Sequence, residues 1–357
     1  LSDFVTRCRH EFHSSCISTW LQHQPHCPNC KGTITESAVV EGVLLGAQDR
    51  AALEAAVRAA PDVALLVAEA ARVGESGVLR AIAQDADPGV FRDGVSLWTA
   101  CERGHVDAVQ VLVGHGAGLN ARNAHGYTPL HCACWSGSLE LVMYLLAQGA
   151  ILGKLTASQD SALHVAASSG RAAVVQFLLL CGAPVDQRNQ YGSTPLHKAT
   201  WSACEDAVVV LLAWGADVNA TEDIFGFTPL HHAAIKEQIV IADRLLDHGA
   251  HANTNDKKDA RTPLHHAAEN NSMGVGLMLL QKCAHINAAD RAGATPLHLA
   301  AANGHALFVH LLLVRGANAG LKDQHGRTAM DLAAGHPQTM AVFQRHSVSS
   351  SRWWWLW

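Results

Sequence analysis

The chain has 357 residues, 49% of them apolar and 16% charged, and a net charge of -5. That length means two or more domains or one repeat array, and the charge gives no reason to expect nucleic acid or an anionic membrane as partner. Ten cysteines are too few for a secreted disulfide scaffold. No apolar run reaches the ~20 residues of a membrane helix, and no signal-peptide pattern opens the chain. The expected setting is reducing, cytoplasmic or nuclear, with no membrane span.

The opening stretch reads LSDFVTRCRHEFHSSCISTWLQHQPHCPNCK, and places Cys8, His10, His13, Cys16, Cys27 and Cys30 close together. Thiolates and imidazoles at such spacing suit tetrahedral zinc. Six donors make one set of four and leave two over. One alternative is a one-zinc knuckle with two idle ligands.

The spacing Cys-x-His-x-x-His-x-x-Cys followed by Cys-x-x-Cys resembles the later part of a RING finger of the Cys-His-His type. That resemblance implies a cross-brace in which Cys8, His10, Cys27 and Cys30 hold one zinc. His13 and Cys16 would supply half of a second site. Its other two ligands are expected as a Cys-x-x-Cys upstream of Leu1. The resemblance also implies contacts to a ubiquitin-conjugating enzyme through Trp20, Pro28 and Lys31. Many members carry Arg at the last position, and Lys keeps its charge without the planar fork. Zinc binding alone requires neither Trp20 nor Pro28, which argues against the knuckle.

Residues 35–61 are Ala-rich and are expected to form a helical linker, and 62–92 a worn unit of the array that follows. From there the chain repeats itself. Thr-Pro-Leu-His starts at Thr128, Thr194, Thr228, Thr262 and Thr295, with degenerate copies at Val95, Ser161 and Thr328, always 33 or 34 residues apart. An Ala-rich turn follows each copy, then an apolar stripe, then usually Gly-Ala, with Cys283-Ala in one copy. Thr caps a helix and Pro suits its first turn, while Gly ends the second helix in a left-handed conformation. One such unit cannot bury its apolar face, so neighbours must stack.

This pattern resembles the ankyrin repeat over 93–343. The resemblance implies a mostly α solenoid of eight to nine helix-turn-helix units, with the repeat His bonding its local turn. The pairs His231-His232 and His265-His266 are read as one such His and its neighbour on the helix, not as metal ligands. The cysteines outside the opening stretch sit in apolar helical patterns, as small hydrophobes. No catalytic constellation is present in the array.

The resemblance further implies that the hairpin tips and the exposed part of the first helices bind proteins. The tips carry His125, Tyr127, Tyr191, Phe225 and Phe227, then Lys257, Lys258 and Arg261. The helix positions carry Trp135, Trp201 and Ile235. Together they read as an aromatic ridge with a basic end. Residues 344–357, ending in Trp-Trp-Trp-Leu-Trp, are expected as a disordered tail without assigned function. The module order is thus a partial RING-type finger at 1–34, a linker, a worn cap and the array. The reading is a RING-type ubiquitin ligase, with zinc as cofactor and the array binding a protein substrate. The alternative is a non-enzymatic ankyrin scaffold with a decayed finger.

Overall fold

The computed structural model describes residues 3–5, 11–13, 63–85, 87–92 and 94–351. They fall into two compact units, Leu1–Ala157 and Ser158–Trp357. The expected linker at 35–61 lies outside the described residues.

The first unit opens with strands β1 (Asp3–Val5) and β2 (Glu11–His13), paired antiparallel with Asp3 opposite His13 and Val5 opposite Glu11. Three helix pairs follow. They are α1 (Val63–Val73) with α2 (Ser76–Asp85), α3 (Gly94–Arg103) with α4 (Val106–Gly114), and α5 (Pro129–Ser136) with α6 (Leu139–Ala147). The segment expected as a worn unit thus has the same helix-turn-helix form as its successors, with a short 3-10 turn, Pro88–Phe91, behind it.

The second unit holds six pairs. The first helices are α7 (Ala162–Ser168), α9 (Pro195–Trp201), α11 (Pro229–Ile235), α13 (Pro263–Glu269), α15 (Pro296–Ala302) and α17 (Ala329–Leu332). Each is followed by its second helix: α8 (Ala172–Leu180), α10 (Glu205–Ala213), α12 (Ile239–Asp247), α14 (Met273–Gln281), α16 (Ala306–Val314) and α18 (Pro337–Ser351). Within each unit, first helices pack on first helices and second on second. Residues 344–351, expected as the start of a disordered tail, instead continue α18, which packs on α16.

The repeated tetrapeptide explains this regularity. In Thr228-Pro-Leu-His the Thr backbone is extended, Pro takes the first turn, and Leu230 is fully buried. Thr and His form a reciprocal cap, the same at Thr128, Thr194, Thr262 and Thr295. Fully buried Ala pairs such as Ala233-Ala234 and Ala267-Ala268 let neighbouring first helices approach. The stripes of the second helices bury Val208 and Leu211, Ile241 and Leu245, or Val309 and Leu312. Each Leu so removed from water contributes about 2 kcal/mol before chain entropy is counted.

The cysteines divide. Cys101, Cys132 and Cys134 are buried, as expected of small hydrophobes, but Cys181 and Cys283 are exposed, because each follows its second helix. Cys283 takes the place of the glycine that ends the other stripes, at φ +63°, where Gly215, Gly249 and Gly316 stand at +77°, +88° and +91°. A Cβ is strained in this region. Cys283→Gly is therefore expected to stabilise the protein by about 0.5–1 kcal/mol, net of the added chain entropy. A raised thermal midpoint is the expected reading, and a lowered one contradicts the assignment of strain.

Candidate interaction surface and zinc-binding segment

In the second unit five repeats are joined to the next through their histidines, His164, His197, His231, His265 and His298. In His231, Nδ1 accepts the Thr228 backbone N–H at 3.1 Å and lies 2.9 Å from its hydroxyl. Nε2 lies 3.2 Å from the Arg261 carbonyl, at the start of the next repeat. His164, His197, His265 and His298 make the same two links, to the carbonyls of Ser193, Phe227, Ala294 and Arg327. Only the neutral ring with its proton on Nε2 satisfies both ends. Burial favours the neutral ring in His164, His197, His231 and His265. It is the largest cause that lowers His231 to about 3 and His197 and His265 to about 4, with His232 and His266 adding to the effect.

The second histidines, read from sequence as incidental neighbours, have partners of their own. His232 Nε2 lies 3.1 Å from Glu222 Oε1, and His266 Nε2 lies 2.9 Å from Asp256 Oδ2. Burial alone would raise the Glu222 carboxyl, but the His232 bond outweighs it and the group sits below the usual carboxylate range. Asp256 is held down in the same way by the Asp259 N–H and by His266. The carboxylate precedes the histidine by ten residues in both repeats, and that spacing was the available signal.

An Asn or Asp side chain closes the hairpin turns that begin at Asn123, Asn189, Asp256, Asp290 and Asp323. Asn189 Oδ1 accepts from the Tyr191 and Ser193 N–H groups, and Asp290 Oδ1 from those of Ala292 and Ala294. Successive tips then join by backbone bonds. Asp223 N–H donates to Tyr191 O at 2.9 Å, and Lys257 N–H to Phe225 O at 2.8 Å. Gly226, at φ +69°, lies where a Cβ would be 2.9 Å from the Lys257 nitrogen, so that close approach requires glycine.

The residues expected to bind a partner are placed as follows. In the first unit His125 is exposed, Tyr127 is half-buried against His131, and Trp135 is 56% exposed at the end of α5. In the second unit Tyr191, Trp201, Phe225, Lys257 and Lys258 are exposed and Ile235 is half-buried. Phe227 departs from the expectation of an open tip. It is half-buried, stacked on Phe225 at 5.3 Å and against His231 at 5.6 Å. Arg261 departs further. Its guanidinium bonds Glu269 at 3.0 Å and buried Asp290 at 3.2 Å, so it serves the joint between repeats instead of the basic end of the ridge.

Cys8, His10, Cys16, Cys27, Cys30, Trp20, Pro28 and Lys31 lie outside the described residues, and His13 is the last residue of β2. The five residues joining β1 to β2 in sequence include Cys8 and His10. Cys8, His10, His13, Cys16, Cys27 and Cys30 are a donor set that fits zinc. Among the described residues, no group of three or more His, Cys, Asp or Glu could hold a metal ion. No helix among them is long and apolar enough to cross a membrane.

Comparison with known families is consistent with both parts. Residues 67–156, 151–222 and 220–290 match the model for ankyrin repeats in three copies, and 279–333 that for ankyrin repeats in many copies. Residues 1–30 match the zinc finger of C3HC4 type, the RING finger. The chain has His13 where the C3HC4 pattern, with its single His, has Cys. Among solved structures the chain is similar to the ankyrin repeat domain of human ASB11, at 30% identity and TM-score 0.57, covering 61% of this chain and 98% of that one. It is also similar to the ankyrin repeat domain of Bcl-3, at 30% identity and TM-score 0.55, covering 61% and 99%. No curated protein matches the chain. A RING-type finger joined to ankyrin repeats makes a protein-interaction scaffold whose finger implies zinc binding.

Proposed function

The chain belongs to the ankyrin-repeat family, and from that premise we propose that it is a RING-type ubiquitin ligase whose array recruits the protein to be modified. The observation that carries the reading is the joining of a RING-type finger in residues 1–30 to an array whose hairpin tips and helix ends expose aromatic residues. Zinc would be held by Cys8, His10, Cys27 and Cys30, with His13 and Cys16 toward a second site. It supplies the cross-links that fix the segments between the ligands.

A RING finger forms no covalent intermediate. Trp20 and Pro28 would contact the conjugating enzyme, and Lys31 would place a positive charge beside it. Holding the loaded enzyme in a reactive pose converts a bimolecular encounter into a near-unimolecular step. A neutral lysine amine of the recruited protein attacks the thioester carbonyl. The isopeptide bond forms as the C–S bond breaks, and the conjugating enzyme's cysteine leaves as the thiol with the amine's proton. The reading therefore needs no acid, base or nucleophile in the array.

The test is self-ubiquitination of the 357-residue chain with a panel of purified conjugating enzymes. Weak activity, as one complete zinc site supports, that is lost in Trp20→Ala with zinc retained is the expected result. The second reading is an ankyrin scaffold without transfer activity, and Lys31 in place of the more frequent Arg favours it. Zinc-loaded protein with no transfer from any enzyme of the panel selects that reading instead.

A further inference from the structure

In the second unit a continuous run of rings crosses from the first helices to the hairpin tips. Trp201, at the end of α9, meets His232 at 5.2 Å, His232 meets Phe227 at 5.6 Å, and Phe227 stacks on Phe225 at 5.3 Å. Both ends of the run are open, Trp201 at 49% and Phe225 at 42% exposure, while its middle is held by the buried His232–Glu222 pair. A platform anchored in this way keeps its shape, so little side-chain entropy is lost when something covers it. Large rings at an open surface are the side chains that anchor interfaces.

Charge says what the occupant carries. The carboxylates around the run already have partners inside the protein: Glu222 with His232, Asp223 with Arg188, Asp256 with His266 and Glu269 with Arg261. The outward lysines are matched differently. Lys236 Nζ stands 4.1 Å from the centroid of the Trp201 ring. Lys257 Nζ reaches only the backbone carbonyls of Glu222 and Asp223, at 3.3 and 3.4 Å. Lys258 is exposed on the same tip. Lysines thus border the run at both ends, and Glu222, Asp223, Asp256 and Glu269 are committed elsewhere, which leaves Asp259 as the acid beside Lys258 on that tip.

We infer that this run is a docking site for a short extended acidic segment of a protein partner, bearing one aromatic or large aliphatic side chain that lies on the rings. Three ring contacts of little more than 5 Å match a few residues of extended chain, at about 3.3 Å per residue. The carboxylates on either side of the anchor meet Lys236 at one end and Lys257 and Lys258 at the other, giving orientation and faster encounter. The inference rests on the reading of the array as a protein-recruiting surface and not on transfer of ubiquitin.

The experiment is selection of random twelve-residue peptides, displayed on phage, against the immobilised full chain. The enriched peptide is then synthesised and its binding measured. Enrichment of a Trp, Phe or Leu flanked by Asp or Glu is expected. Its binding should weaken at least ten-fold in Trp201→Ala and in Lys257→Glu/Lys258→Glu, with circular dichroism unchanged. The charge reversal lies on an exposed tip and keeps the test decisive if Trp201→Ala folds poorly. Overturning results are no enrichment, enrichment of basic peptides, or binding unaffected by the charge reversal. Capture of phosphatidylserine vesicles in place of peptides overturns it as well. No ubiquitin is present in the assay, so an inactive finger leaves the inference standing, and a failed selection leaves the ligase reading standing.

Discussion

One tightly held zinc per 357-residue chain, lost in Cys27→Ser/Cys30→Ser, is the first expected result. Structural zinc in small domains contributes roughly 10–16 kcal/mol of apparent binding free energy, so removing two of four thiolate and imidazole ligands abolishes tight binding instead of weakening it. His13→Ser/Cys16→Ser should retain the ion, because the complete set is Cys8, His10, Cys27 and Cys30. Elemental analysis of the dialysed protein measures both. Two zincs per chain, or one zinc surviving the loss of Cys27 and Cys30, contradicts the ligand assignment. The array should keep its helical circular dichroism in all variants, since it contains none of these ligands.

The second large effect is acid destabilisation of the second unit. His197, His231 and His265 are lowered to about 4, 3 and 4 in the folded chain, against ~6.5 in an unfolded one. Between those values the unfolded state binds more protons, so stability is fully present above pH 6.5 and is lost as pH falls toward the folded values. From pH 7 to 5 each ring loses about 2 kcal/mol. Together this is roughly 6 kcal/mol if the rings titrate independently, comparable with the whole stability of many domains. Protonation at Nδ1 also turns an acceptor into a donor facing the Thr N–H, so the cap at the start of α9, α11 or α13 fails with it. Glu222 and Asp256, whose carboxyls are lowered, add their loss only below the ordinary carboxylate range, outside this window. The urea midpoint is expected to fall steeply between pH 7 and pH 5. A midpoint constant over that interval contradicts the neutral, doubly bonded state of these rings.

The repeats were legible because one tetrapeptide carries cap, first turn, core Leu and histidine together, and recurs every 33 or 34 residues. Local chemistry sets that unit, so reading it needs no knowledge of its neighbours. The role of Arg261 was not legible in the same way. Its partner Asp290 lies 29 residues on, in the next repeat, and only the stacking register brings them together. His232 and His266 were missed for a related reason, since their carboxylates sit on the hairpin before the helix and not on the helix itself. The continuation of α18 through Ser351 was hidden by a polar, Ser-rich composition.

The central claim is that the finger delivers ubiquitin while the array chooses the recipient. Its most direct test is single-turnover discharge of a ubiquitin-loaded conjugating enzyme onto free lysine, with no array partner present. With only one of the two zinc sites complete, the account predicts a weak but measurable acceleration by the zinc-loaded chain, and Cys27→Ser/Cys30→Ser removes it. A discharge rate unchanged by the intact chain, for every conjugating enzyme tried, would contradict it.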